Sequence, residues 1–464
     1  MRKGSERLGK EAIVPLLIRL SVPSIIAMAI QALYNVVDSI YVGRLSTEAL
    51  SALSLAFPIQ IILIGIGVGT GVGVSSLISR RLGEDNKHAA VNAAEHSIML
   101  VIFYGIIVAV FGFFFAENIL ALFTDNPLLI EMGSEYIEII LIGSLALFFP
   151  MVSNNILRGE GNTFTPMVAM LIGSILNIII DPFIIYGLWI FPRMGVAGAA
   201  IATVAARIIS AFFLIYILFS DKNELKISLK DFSFDFGIIK DIYIVGFPAM
   251  VMQFLASFML GGMNRILAEF GSTAIAAAGI YFRLQSFIFM PVFGLNQGYM
   301  PIMGYNYGHN NPERMKKTFK SALLVAFSFT MLGFFIFQTF PSQLISLFNN
   351  DQELLRIGTS ALKKISLAFP IIGPAIIVST TFQALGNGFP SLLFSFLRQI
   401  IILLPAMYLI GQWYGLEYIW FAFPLSEVMS ITPAAVWVRF KFKSIFEEMR
   451  ERKNLDEQKN TEKI

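Results

Sequence analysis

Long apolar runs separated by short polar segments repeat along the whole chain. Twelve of them lie at about residues 16–42, 52–78, 92–115, 132–157, 164–188, 196–219, 243–267, 274–303, 319–340, 357–382, 390–411 and 416–438. A membrane-spanning helix needs about 20 apolar residues. A transmembrane barrel would instead show weakly alternating segments of about ten. The pattern predicts an all-α membrane protein with twelve transmembrane helices. The first run is too long for a signal-peptide core and lacks a small-residue cleavage site, so it is expected to remain as the first helix.

The punctuation between the runs recurs at a spacing near 225 residues. Pro23 matches Pro248, Ser46-Thr47 matches Ser272-Thr273, and Gly83 and Asn86 match Gly308 and Asn311. Phe123 matches Phe348, Gly161-Asn162 matches Gly386-Asn387, and Gly187 and Trp189 match Gly411 and Trp413. The chain therefore reads as two parallel six-helix repeats, as in secondary transporters, where sites form in or between the halves. The expected organisation is an N-lobe at 1–220, a cytoplasmic linker at 221–241, a C-lobe at 242–440 and a charged cytoplasmic tail at 441–464.

Composition agrees with a membrane solvent: 56% of residues are hydrophobic and 14% charged, against about 25% charged in soluble domains. There is no cysteine, hence no disulfide framework, thiolate site or cysteine nucleophile. His88, His96 and His309 form no ligand cluster, and no metal motif or Ser/Lys pair has catalytic spacing. An enzyme is not expected, nor any resident cofactor or nucleic-acid partner. With an even number of spans the termini share a side. Lys and Arg crowd that side (Arg2, Lys3, Arg7, Lys10, Arg80, Arg81, Lys222, Arg314 and the tail among them), whereas the other has Arg44, Arg193, Arg265, Arg356, Lys363 and Lys364. The bias places both termini in the cytoplasm of a cytoplasmic-membrane protein. The glycine series Gly65, Gly67, Gly69, Gly71 and Gly73 is no phosphate loop, since no Gly-Lys-Ser/Thr follows. Small residues four apart let helices approach closely.

Ionisable residues inside the runs point to function, because burying them in a bilayer costs several kcal/mol. Asp38 lies in the first run and Asp181 in the fifth. Their counterparts in the second repeat are Met263 or Asn264 and Leu404. A purely architectural role would keep carboxylates in both halves, whereas a single cation site predicts the asymmetry. Arg207, Arg283, Arg398 and Glu427 lie in spans 6, 8, 11 and 12. Arg207 and Glu427 hold equivalent repeat positions, and these four charges are expected to pair within or between the lobes as a gate or brace.

At these residues the chain resembles the multidrug and toxic compound extrusion (MATE) family, its bacterial drug-exporting branch above all. The resemblance covers nearly the whole chain. It is carried by Tyr34-Asn35-Val36-Val37-Asp38-Ser39, by Leu157-Arg158-Gly159-Glu160-Gly161-Asn162-Thr163, by Asn177-Ile178-Ile179-Ile180-Asp181-Pro182 and by residues 195–203. It implies a V-shaped two-lobed fold and export of amphiphilic or cationic drug-like compounds in exchange for H+ or Na+. It further implies that Asp38, Asn177, Asp181 and Thr203 form the cation-responsive cluster, that Tyr136 stands beside it, and that Pro23 marks the bend of helix 1. Oxygen ligands from the same four residues suit Na+, and a protonated aspartate would serve H+; both stay open. Acids that some members carry in spans 7 and 10 are absent here. A monomer is expected. The rival reading is a flippase for lipid-linked saccharides or phospholipid precursors, in which Arg207, Arg283 and Arg398 would meet phosphate.

Overall fold

A computed structural model describes residues 4–220 and 223–461. Arg2, Lys3, Asp221 and Lys222 and the last three residues of the predicted tail lie outside the described residues. The first half contains α1 (Glu6–Lys10), α2 (Ile13–Gly43), α3 (Thr47–Gly83), α4 (Lys87–Ala121), α5 (Pro127–Ile142), α6 (Ser144–Gly159), α7 (Phe164–Tyr186) and α8 (Gly195–Leu218). The second contains α9 (Phe236–Ala268), α10 (Ser272–Gly308), α11 (Pro312–Thr339), α12 (Pro341–Ser346), α13 (Gln352–Ser366), α14 (Phe369–Ala384), α15 (Phe389–Phe396), a π segment (Leu397–Leu403), α16 (Leu404–Tyr414), α17 (Leu416–Ile419) and α18 (Ala422–Thr461). No strand occurs among the described residues.

Ten of these helical stretches are long and apolar enough to cross a bilayer singly. Two more crossings are bent pairs: α5 with α6 at 49° and α13 with α14 at 52°. With each pair taken as one span the number is twelve. Both bends fall at the same place in the repeat. Gly143 joins the first pair without a side-chain cap, and Pro370, lacking an N–H, opens α14 after the second. Large side chains such as Phe103, Phe113, Phe114 and Phe212 are exposed on the helices, a surface that only lipid covers without a large penalty.

The punctuation seen in the sequence takes the same conformation twice. Asp85 and Asn310 both have positive φ, at 57° and 53°. The next residues, Asn86 and Asn311, cap α4 and α11 by accepting from Ala89 and Arg314 backbone N–H groups. Gly161 and Gly386 share left-handed φ values of 83° and 84°. One match shifts: the residue that ends α16 as Gly187 ends α7 is Gly415, whereas Gly411 lies inside the helix. The stretch 389–414 outruns 164–186 and contains the π turns before Pro405, which accommodate a residue unable to donate into an α ladder.

The helices form two compact units: Met1–Glu6, Val22–Leu82 and Asn86–Met250, and Arg7–Ser21, Gly83–Asp85 and Val251–Ile464. Helix α2 runs unbroken through Pro23, yet residues 13–21 belong to the second unit and the rest to the first. Helix α9 divides likewise after Met250, near Pro248. In the first unit the glycine series serves two faces. A Cβ at Gly67 would meet Met151 at 2.8 Å, and one at Gly71 would meet Asn155, both on α6. A Cβ at Gly69 would meet the Gly246 carbonyl at 2.6 Å, and one at Gly73 the Ile242 carbonyl, both on α9.

The segment after α8 folds back on the first unit. His96 Nδ1 lies 2.8 Å from the Asn92 carbonyl, and its Nε2 accepts from the Asp235 backbone N–H at 2.7 Å. The His96 ring packs on Phe232 with ring centres 4.7 Å apart.

Candidate functional site

Four helices of the first unit bring the predicted residues together: Asp38 from α2, Tyr136 from α5, Asn177 and Asp181 from α7, and Thr203 and Arg207 from α8. Asn177 and Asp181, four apart, share one helical face. Asp181 has no exposed surface and Asn177 only 3%. Asn177 Nδ2 donates to Asp181 Oδ1 at 3.1 Å and to Thr203 Oγ1 at 3.3 Å. Pro182 follows Asp181 inside α7 and leaves a helical carbonyl without its usual donor.

The carboxyl groups of Asp38 and Asp181 lie within electrostatic range of each other. The Tyr186 hydroxyl donates to the Tyr41 carbonyl at 2.8 Å, and the two rings meet edge to face. This clamp holds the Asp38 stretch of α2 against the Asp181 stretch of α7. Tyr136 is buried and its hydroxyl accepts from Gln60 Nε2 at 3.0 Å. Arg207 stands within electrostatic range of both Asp38 and Tyr136.

Three oxygens in this cluster are buried without a protein donor: Asp38 Oδ1, Asn177 Oδ1 and Asp181 Oδ2. An unsatisfied buried acceptor costs about 1–3 kcal/mol. A proton or a cation removes that cost, and together with Thr203 Oγ1 the oxygens match the hard-donor set that alkali and alkaline-earth ions prefer.

Of the charges expected to pair, Arg398 and Glu427 do so inside the second unit, with Arg398 Nη1 3.0 Å from Glu427 Oε1. Arg283 is exposed on α10. Phe289, one of the apolar residues of α10, is buried against Phe369 and serves packing.

Sequence reasoning did not single out Glu160. It follows the last residue of α6 and is buried. Burial, and then the negative charge of Glu224, push its carboxyl well above the ordinary glutamate value, while the Asn223 side chain and the Glu224 backbone partly offset this by hydrogen bonding. Glu224 in turn accepts from Ser5 N–H and Oγ, each at 2.6 Å. A loop carboxylate is unremarkable in a sequence; only the fold-back of residues 223–225 makes it buried.

A duplicated helical protein that crosses the bilayer many times and buries carboxylates with donor-free oxygens in one half is a membrane transporter rather than an enzyme. More particularly, the chain belongs to the MatE family, whose sequence profile matches residues 23–183 and 248–409. It is similar to the multidrug export protein MepA of Staphylococcus aureus, 26% identical over 433 residues, covering 92% of this chain and 94% of that one. It is 26% identical over 413 residues to a protein of Shewanella oneidensis named FAD transporter, covering 89% and 91%. A crystal structure of MATE in the bent conformation superposes with a TM-score of 0.91 at 28% identity, covering 97% of this chain and all of that one.

Proposed function

We propose that this chain is a cytoplasmic-membrane antiporter that exports amphiphilic, mainly cationic drug-like compounds by alternating access, coupled to entry of H+ or Na+ at Asp38, Asn177, Asp181 and Thr203. The observation that carries this reading is the set of three buried, donor-free oxygens around the Asp38–Asp181 pair. A proton or a Na+ ion would satisfy these same oxygens, so the two compete for the cluster. Tyr136 and Arg207 stand within electrostatic range of Asp38, and Pro23, which lacks an N–H inside α2, supplies a point at which that helix can bend. Any ligand shifts the conformational equilibrium only through differential affinity for the two states. Loading the cluster must therefore stabilise the drug-releasing state. The Lys and Arg bias of the loops supports cytoplasmic termini. The protein acts as a monomer.

A second reading follows from the Shewanella oneidensis relative named as an FAD transporter and from Arg398: a cargo carrying phosphate, whether a flavin nucleotide or a lipid-linked precursor. Proteoliposomes loaded with a fluorescent cationic dye, under an imposed H+ or Na+ gradient, separate the two. Export reads as gradient-driven dye movement that FAD does not inhibit. Dye movement absent under both gradients, with FAD or a lipid-linked phosphate carried instead, would replace it.

A further inference from the structure

Arg356, Ser360 and Lys364 follow one another at intervals of four along one face of α13, at the end of span 10 that lies away from the termini. Lys364 Nζ donates to Ser360 Oγ at 2.9 Å and to the Glu417 carbonyl of α17 at 2.6 Å, and it pairs with Glu417 Oε1 at 3.5 Å. These contacts tie α17 to α13. Between the two helices lies a pocket of about 90 Å³, lined by Arg356, Ile357, Ser360, Leu416, Glu417 and Trp420. Drug-sized ligands occupy pockets of roughly 300–1,000 Å³, so this one admits a small polar group rather than a transported compound.

The pocket is rich in uncommitted donors. Trp420 is 1% exposed, and its Nε1–H is buried with no acceptor among the described residues. An indole nitrogen can only donate. Arg356 is exposed and makes no ion pair or hydrogen bond among the described residues. Ser360 Oγ accepts from Lys364 and donates to no acceptor among them. The acceptor side chain on the wall, the Glu417 carboxylate, is held by Lys364. Arg356 and Lys364 set against Glu417 leave one positive charge, and beyond the wall exposed Glu353 and Lys363 offset each other. The complement is a monoanion whose oxygens accept from a guanidinium, a hydroxyl and an indole N–H.

The surroundings say where such an anion comes from. Trp413, Tyr414 and Tyr418 are exposed on the same stretch of chain, and Lys364 Nζ stands 5.2 Å from the Tyr418 ring centre and 5.5 Å from that of Phe421. Aromatic side chains gather at the level of lipid headgroups. We propose that this pocket is a binding site for the phosphodiester of an anionic phospholipid in the leaflet away from the termini. Its oxygens accept from Arg356, Ser360 Oγ and Trp420 Nε1, and its acyl chains lie on the exposed aromatic side chains. Bound there, the lipid strengthens the Lys364 bridge between the start of span 10 and the connection from span 11 to span 12. The site shares no residue with the Asp38–Asp181 cluster, so it stands whatever compound the chain exports.

The test is equilibrium binding to the purified full chain in detergent. The probes are phosphatidylglycerol with a fluorescent acyl chain, diacylglycerol with the same chains, and inorganic phosphate. The wild type binds the phosphatidylglycerol about tenfold or more tighter than the diacylglycerol, as charge-assisted hydrogen bonds to phosphate require. Trp420→Phe keeps an aromatic ring and removes the N–H; Arg356→Gln removes the charge and keeps a polar side chain. Each lowers that preference several-fold, whereas Lys363→Gln, which removes an equal charge outside the pocket, leaves it nearly unchanged. Melting curves without lipid check that all three variants fold. Equal affinity of the wild type for the two lipids overturns the proposal, as does a preference that survives both pocket substitutions or falls as far in Lys363→Gln. Inorganic phosphate binding as tightly as phosphatidylglycerol, and weakened by the same two substitutions, overturns the lipid as occupant and leaves a site for a free anion.

Discussion

Asp181 could be singled out from sequence because a carboxylate in an apolar run has only a few ways to be stable, and each is informative. Asp38 was legible on the same ground. The repeat added weight by showing Leu404 where Asp181 should recur. The detail that makes the pair chemical, Asn177 donating to both Asp181 and Thr203, was legible in two ways: the spacing of four gave the shared face of α7, and Thr203, on another helix, was reached through the family resemblance alone. Glu160 was not legible, because its burial depends on Asn223 and Glu224 returning to the end of α6. Its raised carboxyl gives a pH prediction. A folded value above that of the unfolded chain means that the docked loop binds an extra proton in the window between the two values. Docking is then strongest below the ordinary carboxylate range and weakens, by up to about tenfold per pH unit, as pH climbs towards the raised value. Hydrogen exchange of residues 223–225 between pH 5 and 8 checks this, with Glu160→Gln expected to flatten the dependence; a loop equally protected across that range contradicts it.

At the scale of elements, span positions and caps were legible because apolar length and the Asn caps act locally. The bends in spans 4 and 10 were not, since Gly143 and Pro370 sit inside otherwise continuous apolar runs and tertiary packing sets the angle. The same holds for the π turns of span 11 and for the partner of Glu427. Arg207, Arg283 and Arg398 were all legible as candidates for charge pairing, and it is Arg398 of the neighbouring span that meets Glu427. The glycine series of α3 was legible as a packing device, though not that it serves α6 and α9 from alternate positions. Gly73→Ala drives a methyl into the Ile242 carbonyl and is expected to cost about 1–3 kcal/mol, read as a lower midpoint in thermal unfolding of the purified protein. Gly261→Ala on α9 meets nothing within 4 Å and is expected to leave the midpoint unchanged or raised. Equal effects of the two would contradict close packing at Gly73.

At the scale of the molecule, the chain uses one duplicated frame for two unlike interiors. The repeat preserves the capping asparagines, the left-handed glycines and the bent spans, all of which serve the backbone. The polar interiors have diverged: two carboxylates with donor-free oxygens in the first unit, an arginine–glutamate pair beside a cavity in the second. Duplication thus fixes architecture while each half carries its own chemistry, and the proposal that follows is a coupling site confined to one half. The most direct test is dye export from proteoliposomes under an H+ gradient and, separately, a Na+ gradient, comparing the wild type with Asp38→Asn. Export driven by one gradient in the wild type and lost in the folded variant is the predicted result. Asp38→Asn exporting at the wild-type rate under the same gradient would contradict coupling through this cluster.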